Sequence, residues 1–94
     1  MGRLAHFLCE TYCRMKAVGL GQDGEYELPL TQQDLGEATG LTSVHVNRVV
    51  RRLREEGLAI VARGRVQILD VTRLARLGEF EADYLYLDHG PWQG

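Results

Sequence analysis

The stretch from Thr31 to Gly57, TQQDLGEATGLTSVHVNRVVRRLREEG, constrains the fold of this chain more than any other. Two patterns of helical period occupy it, separated only by Gly40, Leu41 and Thr42. Thr31 with Asp34 three residues later predicts a helix start, because the hydroxyl and the carboxylate can both meet first-turn amides. The helix that follows is expected over Gln32 to Thr39, with Leu35 and Ala38 facing inward, and Gly40 stops it. Thr42 then offers an N-cap hydroxyl to a longer helix, 43–56, whose buried stripe is Val46, Val49, Val50 and Leu53 and whose stop is Gly57. Gly36 is small enough for the second helix to cross closely, and Leu41 plugs the gap between the two. Two helices joined by so short a glycine-containing turn form a helix-turn-helix, the arrangement that presents a helix to the DNA major groove. Thr39 is the one departure, at a position where an apolar residue is more usual.

The flanks complete a small α+β unit. Leu4, Leu8, Tyr12 and Met15 recur at intervals of four, four and three, which predicts a helix from Arg3 to Val18, ended by Gly19, Gly21 and Gly24. Tyr26 to Leu30 reads as a short extended segment, limited by Pro29. Leu58 to Ala62 and Val66 to Leu69 are β-prone runs around Arg63-Gly64-Arg65, a hairpin in which the glycine supplies a positive φ. Asp70 can cap a last helix from Val71 to Gly78, Phe80 to Leu87 is expected to fold back as an aromatic helical turn, and 88–94 is expected to be a disordered tail. Ninety-four residues with 45% hydrophobic content supply one core and no deep enzymatic cleft. The expectation is therefore one domain, 1–87, with a winged helix-turn-helix fold: a three-helix core carrying a small antiparallel β-hairpin wing at 62–66.

Net charge is only −2, but its distribution is uneven. From Ser43 to Arg65 six arginines face two acids, which leaves that segment at +4. From Gly21 to Glu37 there are five acids and no base, and from Asp70 onward five acids against Arg73 and Arg76. A chain polarised in this way presents one positive face, as a phosphate-binding surface requires.

With the basic hairpin behind it, LPLTQQDLGEATGLTSVHVNRVVRRLREEGLA resembles the DNA-binding signature of the Crp/Fnr family of transcription regulators. RGRVQILDVTRLARLGEFEADYLYL resembles the wing and tail found in many of its members, so that the likeness runs from about Arg3 to about Leu87. The resemblance implies that Ser43, Val44, Asn47 and Arg48 face base edges of double-stranded DNA. It also implies a preceding half that these residues do not include, an effector-sensing β-roll and a long dimerisation helix. The full-length regulator is then expected to be a homodimer, with RNA polymerase open as a further partner, and this domain alone a monomer or weak dimer, because Leu4, Leu8, Tyr12 and Met15 are needed for its own core.

Residue chemistry agrees with that placement. An Arg48 guanidinium can fork onto guanine O6 and N7, an Asn47 amide can pair with adenine, and Val44 can touch a thymine methyl, although a helical arginine can equally be a solvated charge and Val44 partly core. Phosphate contact is expected for Arg51, one turn beyond Arg48, and for Arg63 and Arg65, since a hairpin tip has little structural reason to carry two charges. Thr31 and Gln32 open a helix whose amides can receive a phosphate, and phosphate contact is expected for Thr42 and for His45, which meets a phosphate or solvent rather than a base.

Other classes fit less well. A winged helix can serve as a protein-interaction module, or as the DNA-binding part of a recombinase-like enzyme; the arginine clustering opposes the first and the tail resemblance the second. No histidine or carboxylate pairs with a nucleophile at a recognisable spacing, so no catalysis and no cofactor are expected. His6, Cys9 and Cys13 are too few for a structural zinc site, and the cysteines, four apart on one helix face, read as small apolar packing residues rather than a disulfide. No apolar run approaches the roughly 20 residues that span a bilayer, and the first residues lack a signal-peptide pattern, so a cytoplasmic location without membrane contact is expected.

Overall fold

In a computed structural model, residues 1–21 and 23–80 are described. The elements in chain order are α1 (Gly2–Ala17), β1 (Glu25–Glu27), α2 (Gln32–Thr39), α3 (Ser43–Glu55), β2 (Ala59–Ala62), β3 (Arg65–Ile68) and α4 (Val71–Leu77). Among the described residues, four helices and a three-stranded antiparallel sheet of order β1-β3-β2 make a winged helix-turn-helix.

The core gathers one face of every helix. Leu4, Leu8, Cys9 and Tyr12 of α1 meet Leu35 of α2, Val46, Val49 and Leu53 of α3, and Leu74 and Ala75 of α4. Each fully buried leucine or valine contributes about 1.5–3 kcal/mol. The inward expectations shift in places: Ala38 is exposed, while Leu41 and Val50 are half-buried at the rim. Gly36 is buried, and a Cβ placed there would collide with the Leu41 carbonyl oxygen, so the close crossing of α2 and α3 depends on the missing side chain. Thr39 answers its unusual position by turning its hydroxyl onto the Leu35 carbonyl, 2.7 Å away, inside its own helix.

The largest departure from the sequence reading lies in the sheet. The strand is Glu25–Glu27, not Tyr26–Leu30: the Leu28 amide still donates to the Gly64 carbonyl at 2.7 Å, but the Leu30 amide turns back onto the Leu28 carbonyl at 2.7 Å, which ends the pairing before the α2 cap. It is the third strand of the wing rather than an isolated stretch: Tyr26 pairs with Val66 and Glu27 with Arg65. Tyr26 is 1% exposed; its hydroxyl donates to the Leu8 carbonyl at 2.9 Å and shares a 2.7 Å hydrogen bond with Thr11 Oγ1, which ties the wing to α1. The expected domain limit at 87, the aromatic turn and the tail 88–94 fall outside the described residues apart from Phe80, whose ring meets His6 edge-on with centroids 5.1 Å apart. His6 Nδ1 lies 3.0 Å from the Gly78 carbonyl and donates to it, since a carbonyl oxygen only accepts. No helix among the described residues is long and apolar enough to cross a membrane.

Candidate nucleic-acid interface

Helix α3 is held by its buried stripe, so its opposite face is necessarily presented outward. Val46, Val49 and Leu53 recur three and four apart against the core. Val44, Arg48 and Arg51, again four and three apart, lie on the reverse side and are exposed. Val44 is 68% exposed, an apolar side chain at the front of a charged helix that no described residue covers. Asn47 is rotated from this line toward the wing; Ser43 and His45 are exposed in the first turn. The four residues expected at base edges, Ser43, Val44, Asn47 and Arg48, therefore share one exposed end of one helix.

The helix start is built by Thr42, whose Oγ1 accepts from the His45 amide at 3.1 Å. Its first turn carries no acid. The start of α2 differs. Thr31 Oγ1 accepts from the Asp34 amide at 3.0 Å, and the Asp34 carboxylate accepts from the Thr31 amide at 3.0 Å, closing the capping box. A carboxylate thus already sits on the positive end of α2 beside Gln32, whereas the positive end of α3 is free of one. Both threonine hydroxyls accept and keep a proton to donate outward.

The wing differs in detail from the hairpin expected. Arg63 and Gly64 alone form the turn, both with positive φ (54° and 74°), and Arg65 is the first residue of β3, paired with Ala62 on one side and Glu27 on the other. A two-residue turn with both central residues left-handed has the twist that suits a hairpin. Arg63 is therefore the exposed tip, and Arg65 lies on the sheet between two carboxylates, 3.7 Å from Glu25 and 3.6 Å from Glu27.

The arginines divide by partner. Arg14 pairs with Glu10, Arg52 with Glu56 at 2.8 Å, Arg65 with Glu25 and Glu27, and Arg73 with Asp70. Among the described residues the others form no such ion pair: Arg3 in α1, Arg76 in α4, and a group of four, Arg48, Arg51, Arg54 and Arg63, on the outward side of α3 or at the wing tip. Arg54 is absent from the expected contacts. Its spacing of seven from Asn47 and three from Arg51 is the signal available, and those three residues line a groove that faces Ile60, Val61 and Ala62 of β2. No group of three or more metal-ligating side chains occurs among the described residues; no disulfide involves Cys9 or Cys13, and burial, aided by the neighbouring Cys13, pushes the Cys9 thiol up to about 12.

A family profile described as the Crp-like helix-turn-helix domain matches residues 2–77. Among solved structures, the chain is similar to a protein from Eubacterium rectale assigned to the Crp/Fnr family of transcriptional regulators, with 29% identity over 83% of this chain and 32% of that one, TM-score 0.63. A Crp/Fnr-family transcriptional regulator from Thermus thermophilus shares 25% identity over 82% of this chain and 43% of that one, TM-score 0.56. Oxidized CprK in complex with o-chlorophenolacetic acid, at 23% identity, shares the fold over 95% of this chain and 41% of that one, TM-score 0.64. The chain thus spans less than half the length of these solved proteins. No curated protein sequence matches it.

Proposed function

This chain belongs to the family of Crp-like helix-turn-helix domains, and we propose that it binds double-stranded DNA sequence-specifically as the reading domain of a Crp/Fnr-type transcription regulator. The observation that carries the reading is the grouping on the outward face of α3 and the wing tip of four arginines that form no ion pair among the described residues, with the exposed Val44 among them. Charge without a carboxylate partner is available to phosphate, and an apolar side chain in the same line is available to a thymine methyl.

In this reading α3 lies in the major groove with Ser43, Val44, Asn47 and Arg48 at base edges. Thr42, His45, Arg51 and Arg63 take phosphates, as do Thr31 and Gln32 at the start of α2. Asp34 weakens the α2 site, and Arg65 reaches a phosphate only by giving up Glu25 and Glu27. The domain performs no chemistry of its own, works in the cytoplasm, and in a full-length homodimer places two recognition helices about 34 Å apart on a near-palindromic site.

Selection from a randomised duplex library, followed by anisotropy titration at rising salt, tests the proposal. Enrichment of one short motif and a clearly negative slope of log affinity against log salt are expected. A flat slope with no enriched motif would favour a protein-interaction module instead.

A further inference from the structure

We infer that the groove between α3 and β2 is a seat for one DNA backbone phosphodiester, with Arg54 as the residue that closes it. The inference rests on the DNA-binding reading and adds to it a contact beyond those assigned above.

The groove is about 190 Å³ and has two unlike walls. Arg51 and Arg54, three apart, place two guanidinium groups along one flank of α3, a rise of about 5 Å; Asn47, left to its base edge, lies one turn before them, and Val50 of the same helix lines the groove beside them. The opposite wall is the apolar run Ile60, Val61 and Ala62. Donors on one side and hydrocarbon on the other match a sugar-phosphate unit, which has anionic oxygens along one edge and a largely apolar deoxyribose behind them.

Charge on this flank is uncompensated, in contrast with the other flank of the same helix. Arg52 is held by Glu56 at 2.8 Å, with a second hydrogen bond from Nε at 3.3 Å. Arg51 and Arg54 form no ion pair among the described residues, although Glu55 sits four residues beyond Arg51 and next to Arg54. Two like charges one turn apart repel, and a bound anion removes that repulsion. The groove also leads into Ala62, the residue before Arg63, so a backbone strand seated on Arg51 and Arg54 continues onto the wing tip. Arg54 is in this role a positioning residue, which sets where the duplex lies and reads no base.

The test compares Arg54→Gln and Arg54→Lys with the unaltered chain on its selected duplex and on unrelated DNA. Arg54→Gln is expected to weaken both by the same factor, about eightfold at 0.1 M salt for the loss of one phosphate contact, and to make the salt slope shallower by about one. Base preference is expected to stay unchanged, and Arg54→Lys to restore the slope. A scan of single neutral methylphosphonates through the duplex is expected to find one position that weakens the unaltered chain and has no further effect on Arg54→Gln. If the unaltered chain binds and Arg54→Gln matches it in affinity and slope, the groove assignment alone is overturned. If the unaltered chain binds no duplex at all, the DNA-binding reading falls and takes the groove with it.

Discussion

Arg48 and Arg63 carry the same charge and differ in where the backbone holds them. Arg48 projects from the outward side of α3 beside Val44, at the end of the helix whose first turn has no acid. A guanidinium there can take guanine O6 and N7 together, and losing that fork costs about 1–3 kcal/mol on the preferred site and much less elsewhere. Arg48→Ala is therefore expected to relax preference at one base pair, as read by selection on a randomised library, with circular dichroism unchanged because Arg48 is exposed. Unchanged preference would remove Arg48 from the base-reading set. Arg48 and Val44 could be singled out from their positions in the motif. That Arg65 is neutralised could not, because Glu25 and Glu27 lie 40 and 38 residues away along the chain and meet it only through strand register.

At the scale of elements, the turns separate stability from binding. Arg63 has φ 54°, a left-handed conformation that arginine adopts at a cost and asparagine tolerates well. Arg63→Asn is expected to raise stability by about 0.5 kcal/mol in chemical denaturation while weakening DNA on all sequences and flattening the salt slope by about one unit. Opposite signs from one substitution mark a residue retained for contact; a loss of stability would mean that its side chain supports the wing. The α2–α3 crossing behaves otherwise. At Gly36 an added methyl meets the Leu41 carbonyl, which belongs to the turn and cannot swing aside like a flexible side chain. Gly36→Ala is expected to cost about 1–3 kcal/mol, as overpacking does, and to lower DNA affinity by tilting α3. A thermal midpoint equal to that of the unaltered protein would show that the turn can move.

For the whole molecule, the joint between α1 and the wing dominates. Cys9 is fully buried and Tyr26 nearly so. Burial raises the thiol from 9.0 to about 12 and raises the Tyr26 phenol too, although the Thr11 hydrogen bond opposes the second shift. The unfolded thiol loses its proton near pH 9, while the folded one keeps it. Above that pH the unfolded state binds fewer protons, so stability is full below about pH 9, falls by about 1.4 kcal/mol per pH unit from there, and falls more steeply above about pH 10, where the unfolded phenol loses its proton as well. Denaturant midpoints measured from about pH 8 to about pH 11 are expected to drop across that range, and Cys9→Ala to flatten the first part of the drop. Equal midpoints throughout would mean that the thiol is reached by water.

Whatever depends on neighbours within one or two turns can be read along the chain. Helices α2 and α3, their threonine caps, the glycine between them and the aspartate before α4 are legible because capping and helical periodicity act over three or four residues. The outward placement of Val44 and Arg48 follows, since a buried stripe leaves the other side of a helix no choice. How distant segments meet comes from packing in three dimensions. It made Glu25–Glu27 the third strand of the wing, drove the Tyr26 hydroxyl onto α1, and turned Ala38 outward although its helix lies where the pattern puts it. It also divided the arginines, giving Arg52 and Arg65 to carboxylates and leaving Arg48, Arg51, Arg54 and Arg63 to face outward. An ion pair across a sheet depends on register, and a groove on how a strand packs beside a helix; both are distances through space, which local pattern along the chain does not carry.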